Sequence, residues 1–188
     1  MSIKPVVPFP NPALRDPTHN LEGPVTEAVR KFCWDLADTM EAATGAGLAA
    51  PQIGSPLRIF VISNRVAKDL KGHVYFINPV IDSRSEKTQS MTEGCLSFPG
   101  IFVDVIRPES VTITFTTIEG ERMTRTMYGY YAQAIQHEYD HLEGKLLIDH
   151  AKPVRRGIIR RKTKGYMNKY LDYRGCSPKL KDTESTEA

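Results

Sequence analysis

The sequence predicts an α+β fold in a single domain spanning 1–188, because strand-like patterns cluster in the middle of the chain and helical patterns lie on either side. A length of 188 residues suffices for one well-filled core and is short for two domains. Hydrophobic residues at 40% and charged residues at 25% are ordinary for a globular protein. We therefore expect antiparallel or mixed sheets around a central helix, with one further helix near each end.

The amino-terminal arm, residues 1–24, holds six of the 13 prolines and is predicted to be extended and pinned to the surface. A helix is predicted next, with Thr26 as its N-cap and Gly45 as its stop. Apolar side chains recur there at helical spacing: Val29, Phe32, Cys33, Leu36, Met40 and Ala43. Cys33 on this apolar face is expected to be a small buried residue.

Strand-like sequence occupies the region from Leu57 to Met127. Four segments there are β-branched or alternate between apolar and polar residues: "LRIFVIS", "HVYFINPVI", "SVTITFTTI" and "ERMTRTMY". The last two are joined by "EG", which is typical of a hairpin turn. The sequence therefore predicts a sheet in the middle of the chain.

Two helical patterns follow the strands. One runs from Tyr128 to Glu143 and is predicted to end at Gly144, and another is predicted to start after Pro153. The segment 173–188 is expected to be a polar, mobile tail.

The charge and cysteine content limit where in the cell the protein is expected to work. The longest apolar runs are a few residues, far short of a membrane span, and the amino terminus lacks the apolar core of a secretory signal. Three cysteines are too few for a disulfide framework, so the cytoplasm is the expected location. Residues 151–171 carry eight Lys/Arg and no Asp/Glu, and any contact with a polyanion is expected at this end.

The stretch "QHEYDHLEG", 136–144, has the spacing of a metal site on a helix. His137 and His141 lie one turn apart, so both imidazoles can reach one metal at about 2.0–2.1 Å. Glu138 lies about 100° further round the helix, where it can exchange a proton with bound water and a leaving group. The alternative is a solvated helix face whose histidines bind nothing.

A third ligand must come from upstream, because position 147 is Leu and no downstream histidine has the required spacing. Cys95 in "EGCLSFPG" is the candidate, since a thiolate is a good ligand for a borderline divalent metal. Its alternative role is a small buried hydrophobic residue. In "GAGLAAPQIG", 45–54, glycines permit close backbone approach and Gln52 offers an amide donor, although such runs also mark tight packing after a helix.

Taken together, "GAGLAAPQ", "EGCLS" and "QHEYDHLEG" resemble, in the same order, the three motifs of the peptide deformylase family. The resemblance extends from about Pro8 to Arg160. It implies one divalent metal held by three residues: Cys95, His137 and His141. The ligand types alone suggest zinc, whereas the resemblance implies Fe²⁺ as the native metal, with Ni²⁺, Co²⁺ or Zn²⁺ able to substitute.

The resemblance also implies a role for each remaining motif residue. Glu138 would act as the general acid and base, and Gln52 together with the backbone N–H of Leu96 would stabilise the oxyanion. Three further positions are implied to bind substrate: Gly47, Glu93 and Gly94.

The implied activity is a hydrolase that removes the formyl group from N-formylmethionyl nascent peptides and releases formate. The basic segment 152–169 would then dock on the ribosome through rRNA phosphates, with a solvated helix face as the alternative. Neither a membrane nor DNA is an expected partner. Three alternatives stay open for the chain as a whole: an amidase of altered specificity, a non-catalytic metalloprotein of the same family, and an RNA-binding module.

Overall fold

The computed structural model describes residues 2–66 and 72–170, so the predicted tail 173–188 lies outside the described residues. The helices are α1 (Glu27–Ala42), α2 (Gly129–Leu142) and α3 (Pro153–Tyr170), with short 3₁₀ helices at Pro12–Arg15, Ala50–Ile53 and Leu147–His150. The strands are β1 (Gly47–Ala49), β2 (Ile59–Ile62), β3 (Val74–Arg84), β4 (Thr88–Gly94), β5 (Phe102–Pro108), β6 (Ser110–Thr116) and β7 (Arg122–Tyr128). None of the described helices is long and apolar enough to cross a bilayer.

The strands of the described residues form two separate antiparallel sheets. The larger has the order β1-β2-β3-β6-β7, and the smaller is the hairpin of β4 and β5. Helix α2 lies across the larger sheet, where Ala132 and Ile135 pack into the same cluster as three phenylalanines from the strands whose rings contact one another: Phe60, Phe76 and Phe115. This arrangement confirms the predicted α+β fold, and helix α2 contains His137 and His141.

The helix boundaries follow from local chemistry. The hydroxyl of Thr26 accepts the N–H of Val29 at 3.4 Å and caps α1, as predicted. The helix ends at Ala42, after which Thr44 takes a left-handed φ of 56° just before the predicted stop at Gly45. Gly144, with a φ of 66°, follows α2 in the same way.

Several local expectations differ from the structure. The strands β4 and β5 were not among the four predicted segments, and β1 forms where only a close backbone approach was expected. Both depend on distant partners: β1 pairs with β2, and β4 with β5. The predicted "EG" turn is a five-residue loop, 117–121, closed by the Thr117 N–H donating to Glu121 at 2.8 Å.

The amino-terminal arm is extended, but it does not merely lie on the surface. Val7 and Leu14 are almost fully buried and belong to the core cluster beneath the β4–β5 hairpin. Burying such a side chain contributes about 1.5–3 kcal/mol, which explains why a proline-rich segment is held in one place.

Candidate metal centre and active site

A cavity of about 510 Å³ lies between α2, the end of β4 and the segment that begins at Thr44. Its apolar wall consists of Leu96, Phe98, Ile101, Phe102, Tyr130 and Ala134. Polar side chains from all three sequence motifs line it, namely Gln52, Glu93, Cys95, His137 and Glu138, together with Thr44, Thr92 and Gln133 from outside the motifs.

Three potential ligand atoms converge at this cavity. One from each of Cys95, His137 and His141 lies within 4.8 Å of the others. The helical spacing of α2 brings the two imidazoles together, and Cys95 follows the last residue of β4. Sγ of Cys95 lies 3.3 Å from Nε2 of His141. A thiolate and an imidazole on one tetrahedral ion would be about 3.5 Å apart, so the observed separation fits a shared metal.

The protonation state of His141 also suits a metal ligand. Burial, together with the charge of His137, lowers the pKa of the His141 imidazole to about 3, so the ring is neutral and its Nε2 lone pair is available. Its Nδ1 is buried and has no hydrogen-bond partner among the described residues. A thiolate with two imidazoles is a donor set for a borderline divalent ion.

Glu93 orients the other histidine. Its Oε2 lies 2.8 Å from Nδ1 of His137, which leaves Nε2 of that ring for a metal. Burial opposes ionisation of Glu93, but hydrogen bonds from His137 and Arg107 lower the pKa of its carboxyl to about 2. Gln133 donates to the same carboxylate. Both oxygens are thus engaged by the protein, which favours a supporting role over the predicted contact with substrate.

Arg107 was not among the predicted site residues, but it holds Glu93 in place through a buried ion pair. It donates to Glu93 at 2.6 and 3.0 Å and to Asp140 at 2.7 Å. His150 lies 2.7 Å from the same Asp140 oxygen. Arg107 shares the inward face of β5 with Val103 and Val105. A cation on an otherwise apolar strand face indicates a buried ion pair, and that alternation was the available clue.

Glu138 has the properties of an acid–base residue. It is 5% exposed, and Oε2 has no hydrogen-bond partner among the described residues. Burial, reinforced by the charge of Glu93, raises the pKa of its carboxyl to about 7 although His137 opposes this. A methyl group at Gly47 would lie 2.7 Å from Oε1 of Glu138, so the glycine leaves the space that this carboxylate occupies.

Two residues that line the cavity, Gln52 and Leu96, carry hydrogen-bond donors. Oε1 of Gln52 accepts the N–H of Ala49 at 2.8 Å, so its Nε2 is turned towards Ser97 at 3.2 Å and Cys95 at 3.5 Å. The N–H of Leu96 donates to no acceptor in 2–66 or 72–170. Nε2 of Gln52 thus lies next to a candidate ligand atom, and Leu96, the residue after Cys95, lines the cavity with its N–H unused.

Gly94 completes the set of predicted site residues. It ends β4 opposite Phe102, and a methyl group there would lie 3.0 Å from Cε1 of that ring. Gly47 and Gly94 both line the cavity. Their contact with substrate stays a prediction.

A sequence model described as "Polypeptide deformylase" matches residues 3–157. A peptide deformylase of Brucella suis is 38% identical over 164 residues, covering 87% of this chain and 93% of the relative. One of Pseudothermotoga lettingae is 45% identical over 152 residues, covering 81% and 85%.

Solved structures give the same result. A crystal structure of a peptide deformylase from Legionella pneumophila superposes with a TM-score of 0.81 at 36% identity, covering 89% of this chain and 96% of the other. One from Ehrlichia chaffeensis in complex with actinonin gives a TM-score of 0.83 at 31% identity, covering 88% and 98%.

Proposed function

The chain belongs to the polypeptide deformylase family, a family of hydrolases, and from this premise we propose that it removes the N-formyl group from the amino-terminal formylmethionine of newly made polypeptides. Formate and a peptide with a free amino terminus are the products. The observation that carries the proposal is the convergence of Cys95, His137 and His141 within 4.8 Å beside Glu138.

An extended peptide can enter between two open strand edges. β1 is an edge strand of the larger sheet, and among the described residues β4 pairs with β5 alone. Residues from both edges, Gly47 on one side and Thr92 and Gly94 on the other, line the cavity. A peptide backbone can hydrogen-bond to such edges as an added strand. The apolar wall suits the thioether side chain of methionine.

Different residues of the chain would carry out different parts of the reaction. Cys95, His137 and His141 would hold a divalent metal, which when bound supplies Lewis-acid polarisation and activates water. Nε2 of Gln52 and the N–H of Leu96 would stabilise negative charge on the formyl oxygen. Support comes from Nε2 of Gln52 lying 3.5 Å from Sγ of Cys95 and from the Leu96 N–H having no acceptor in the described part of the chain.

Proton transfer falls to Glu138. With a pKa of about 7, its carboxyl can accept a proton from water and deliver it to the departing amine as the formyl C–N bond breaks. The apolar wall and the burial of Glu138 keep bulk water away from this proton.

Fe²⁺ is the proposed native metal, with Zn²⁺, Ni²⁺ or Co²⁺ able to occupy the same ligands. Family membership supports this choice, whereas the thiolate–imidazole donor set by itself suggests zinc. Elemental analysis of protein purified without oxygen tests it, and zinc at one equivalent with no iron would overturn the choice of iron.

Formate release from a formyl-Met-Ala-Ser peptide tests the activity. Glu138→Gln should lower kcat by about 10²–10⁴-fold while bound metal stays at one equivalent. Glu143→Gln is the matched control, because Glu143 follows the same helix but pairs with Arg58 at the surface. A wild-type protein that releases no formate with iron, nickel or cobalt loaded would overturn the proposal.

We also propose that the basic helix docks the enzyme on ribosomes in the cytoplasm, where the proposed substrate is made. Helix α3 is anchored by buried Ile159, and four cations nearby are exposed: Arg160, Arg161, Lys162 and Lys164. Reversing these four charges should abolish co-sedimentation with ribosomes at low salt. Unchanged co-sedimentation would leave α3 as a solvated face.

A further inference from the structure

The amino-terminal arm crosses behind the active site and contacts two of its loops at once. The Val7 N–H donates to the carbonyl of Gln52 at 2.7 Å, and the Phe9 N–H donates to the carbonyl of Ser97 at 2.8 Å. In an extended chain the N–H groups of residues two apart point to the same side, so one short segment can reach both loops. Pro8 between them has no N–H to leave unpaired.

These loops belong to different sheets. Gln52 lies on the 3₁₀ helix that follows β1 of the larger sheet, whereas Ser97 lies in the turn that follows β4 of the hairpin. The proposed oxyanion donors are divided in the same way, with the Gln52 amide on one loop and the Leu96 N–H on the other. Their separation therefore depends on whatever joins the two loops.

Side chains reinforce the main-chain bonds. The ring of Phe9 stacks on Phe98 with centroids 4.7 Å apart, and Val7 is 2% exposed in the same cluster. Phe98 closes the turn that contains Leu96, because its N–H donates to the carbonyl of Cys95 at 2.8 Å. The arm thus contacts the turn both through its backbone and through the ring of Phe9.

We propose that the segment Val7–Phe9 is a positioning element that sets the distance between the Gln52 amide and the Leu96 N–H. This inference rests on the proposed function and adds residues that touch neither substrate nor metal. Misplacing a reacting group by about 1 Å can cost about 10²-fold in rate, so a loosened arm lowers kcat while the metal ligands stay in place.

Val7→Pro removes the N–H that bonds to Gln52. The expected result is a kcat lower by about 10- to 100-fold with KM unchanged. Val6→Pro is the matched control, because the Val6 N–H donates to no acceptor among the described residues and its kcat should stay at the wild-type value. The spectrum of the Co²⁺-loaded protein should be the same in all three proteins, which a general loss of structure would not allow.

A double-mutant cycle separates positioning from a merely structural role. In a Gln52→Ala background, Val7→Pro should cause little further loss of kcat, because the donor that it positions is already gone. Phe9→Ala provides a second test should Val7→Pro fail to fold, with Phe9→Tyr expected to restore the rate. The same fold-loss from Val7→Pro with and without Gln52, or equal kcat in the two proline variants, would overturn the inference alone. A wild-type protein without turnover would overturn the proposed function and this inference with it.

Discussion

Nδ1 of His137 and Oε2 of Glu93 lie 2.8 Å apart, and Arg107 donates one hydrogen bond to each oxygen of the same carboxylate. A buried carboxylate thereby fixes which ring nitrogen of His137 faces the cavity. The ligand geometry is consequently set by contacts between β4, β5 and α2.

Glu93→Gln should weaken metal binding by about 10- to 100-fold. The amide can still accept a hydrogen bond, but it carries no charge to oppose Arg107, which is left with one carboxylate partner fewer. Competition with a chelator measures the change. Glu109→Gln, which breaks only an exposed pair with Lys87, should bind metal as the wild type does, and equal affinity in both variants would contradict the prediction.

Cys95→Ser should abolish the thiolate-to-metal absorption band of the Co²⁺-loaded protein. Cys33→Ala should retain it, because Cys33 is fully buried on α1 and burial raises the pKa of its thiol to about 12, which keeps the sulfur protonated. Titration with Co²⁺ under anaerobic conditions makes the comparison. A band that survives in Cys95→Ser would remove the cysteine from the ligand set.

Gly47→Ala should lower kcat by about 10- to 100-fold without loss of metal. The added methyl group would lie 2.7 Å from Oε1 of Glu138 and 2.9 Å from Cδ1 of Ile62, so the carboxylate must move. Steady-state kinetics and metal analysis on one preparation provide the measurement. An alanine variant with wild-type kcat would contradict the prediction, because it would show that the Glu138 side chain can move aside without loss of rate.

Gly157→Ala should raise the free energy of unfolding by about 0.5–1 kcal/mol and leave kcat unchanged. Gly157 lies within α3, and a methyl group there meets no atom within 4 Å. Urea denaturation detects the gain. A destabilised variant would indicate that α3 begins after this residue.

Asp149→Asn should lower stability at pH 7 by about 1 kcal/mol, with the difference shrinking in acid. Burial opposes ionisation of Asp149, but hydrogen bonds from Arg15 and from the Leu146 N–H lower the pKa of its carboxyl. A folded-state pKa below the unfolded value of about 3.9 means that the ionised form stabilises the fold above that pH. The contribution is lost as pH falls through the folded-state pKa.

Urea midpoints measured between pH 7 and pH 3 follow this loss. Glu86→Gln is the control for the loss of one negative charge, because it removes an exposed carboxylate with no ion pair in the described part of the chain. A difference between Asp149→Asn and wild type that stays constant with pH would contradict the assignment.

Local patterns predicted much of the fold. Helix α1 was predicted from apolar spacing and from Thr26 as its cap, and α2 from a run that ends at Gly144, because both depend on contacts within a few residues. The hairpin of β4 and β5 was not predicted. Its strands expose alternate residues such as Thr92 and Phe102, and their identity as strands depends on pairing with each other.

The sequence by itself determined that His137, Glu138 and His141 lie near one another, because helical spacing is a property of a few consecutive residues. Only the tertiary structure decided how Cys95 reaches them. It also decided that Glu93 contacts His137 and that Arg107 donates to Glu93. Such contacts join residues far apart in the chain. They form where burial of apolar surface brings β4, β5 and α2 together, and where each buried charge must then find a partner.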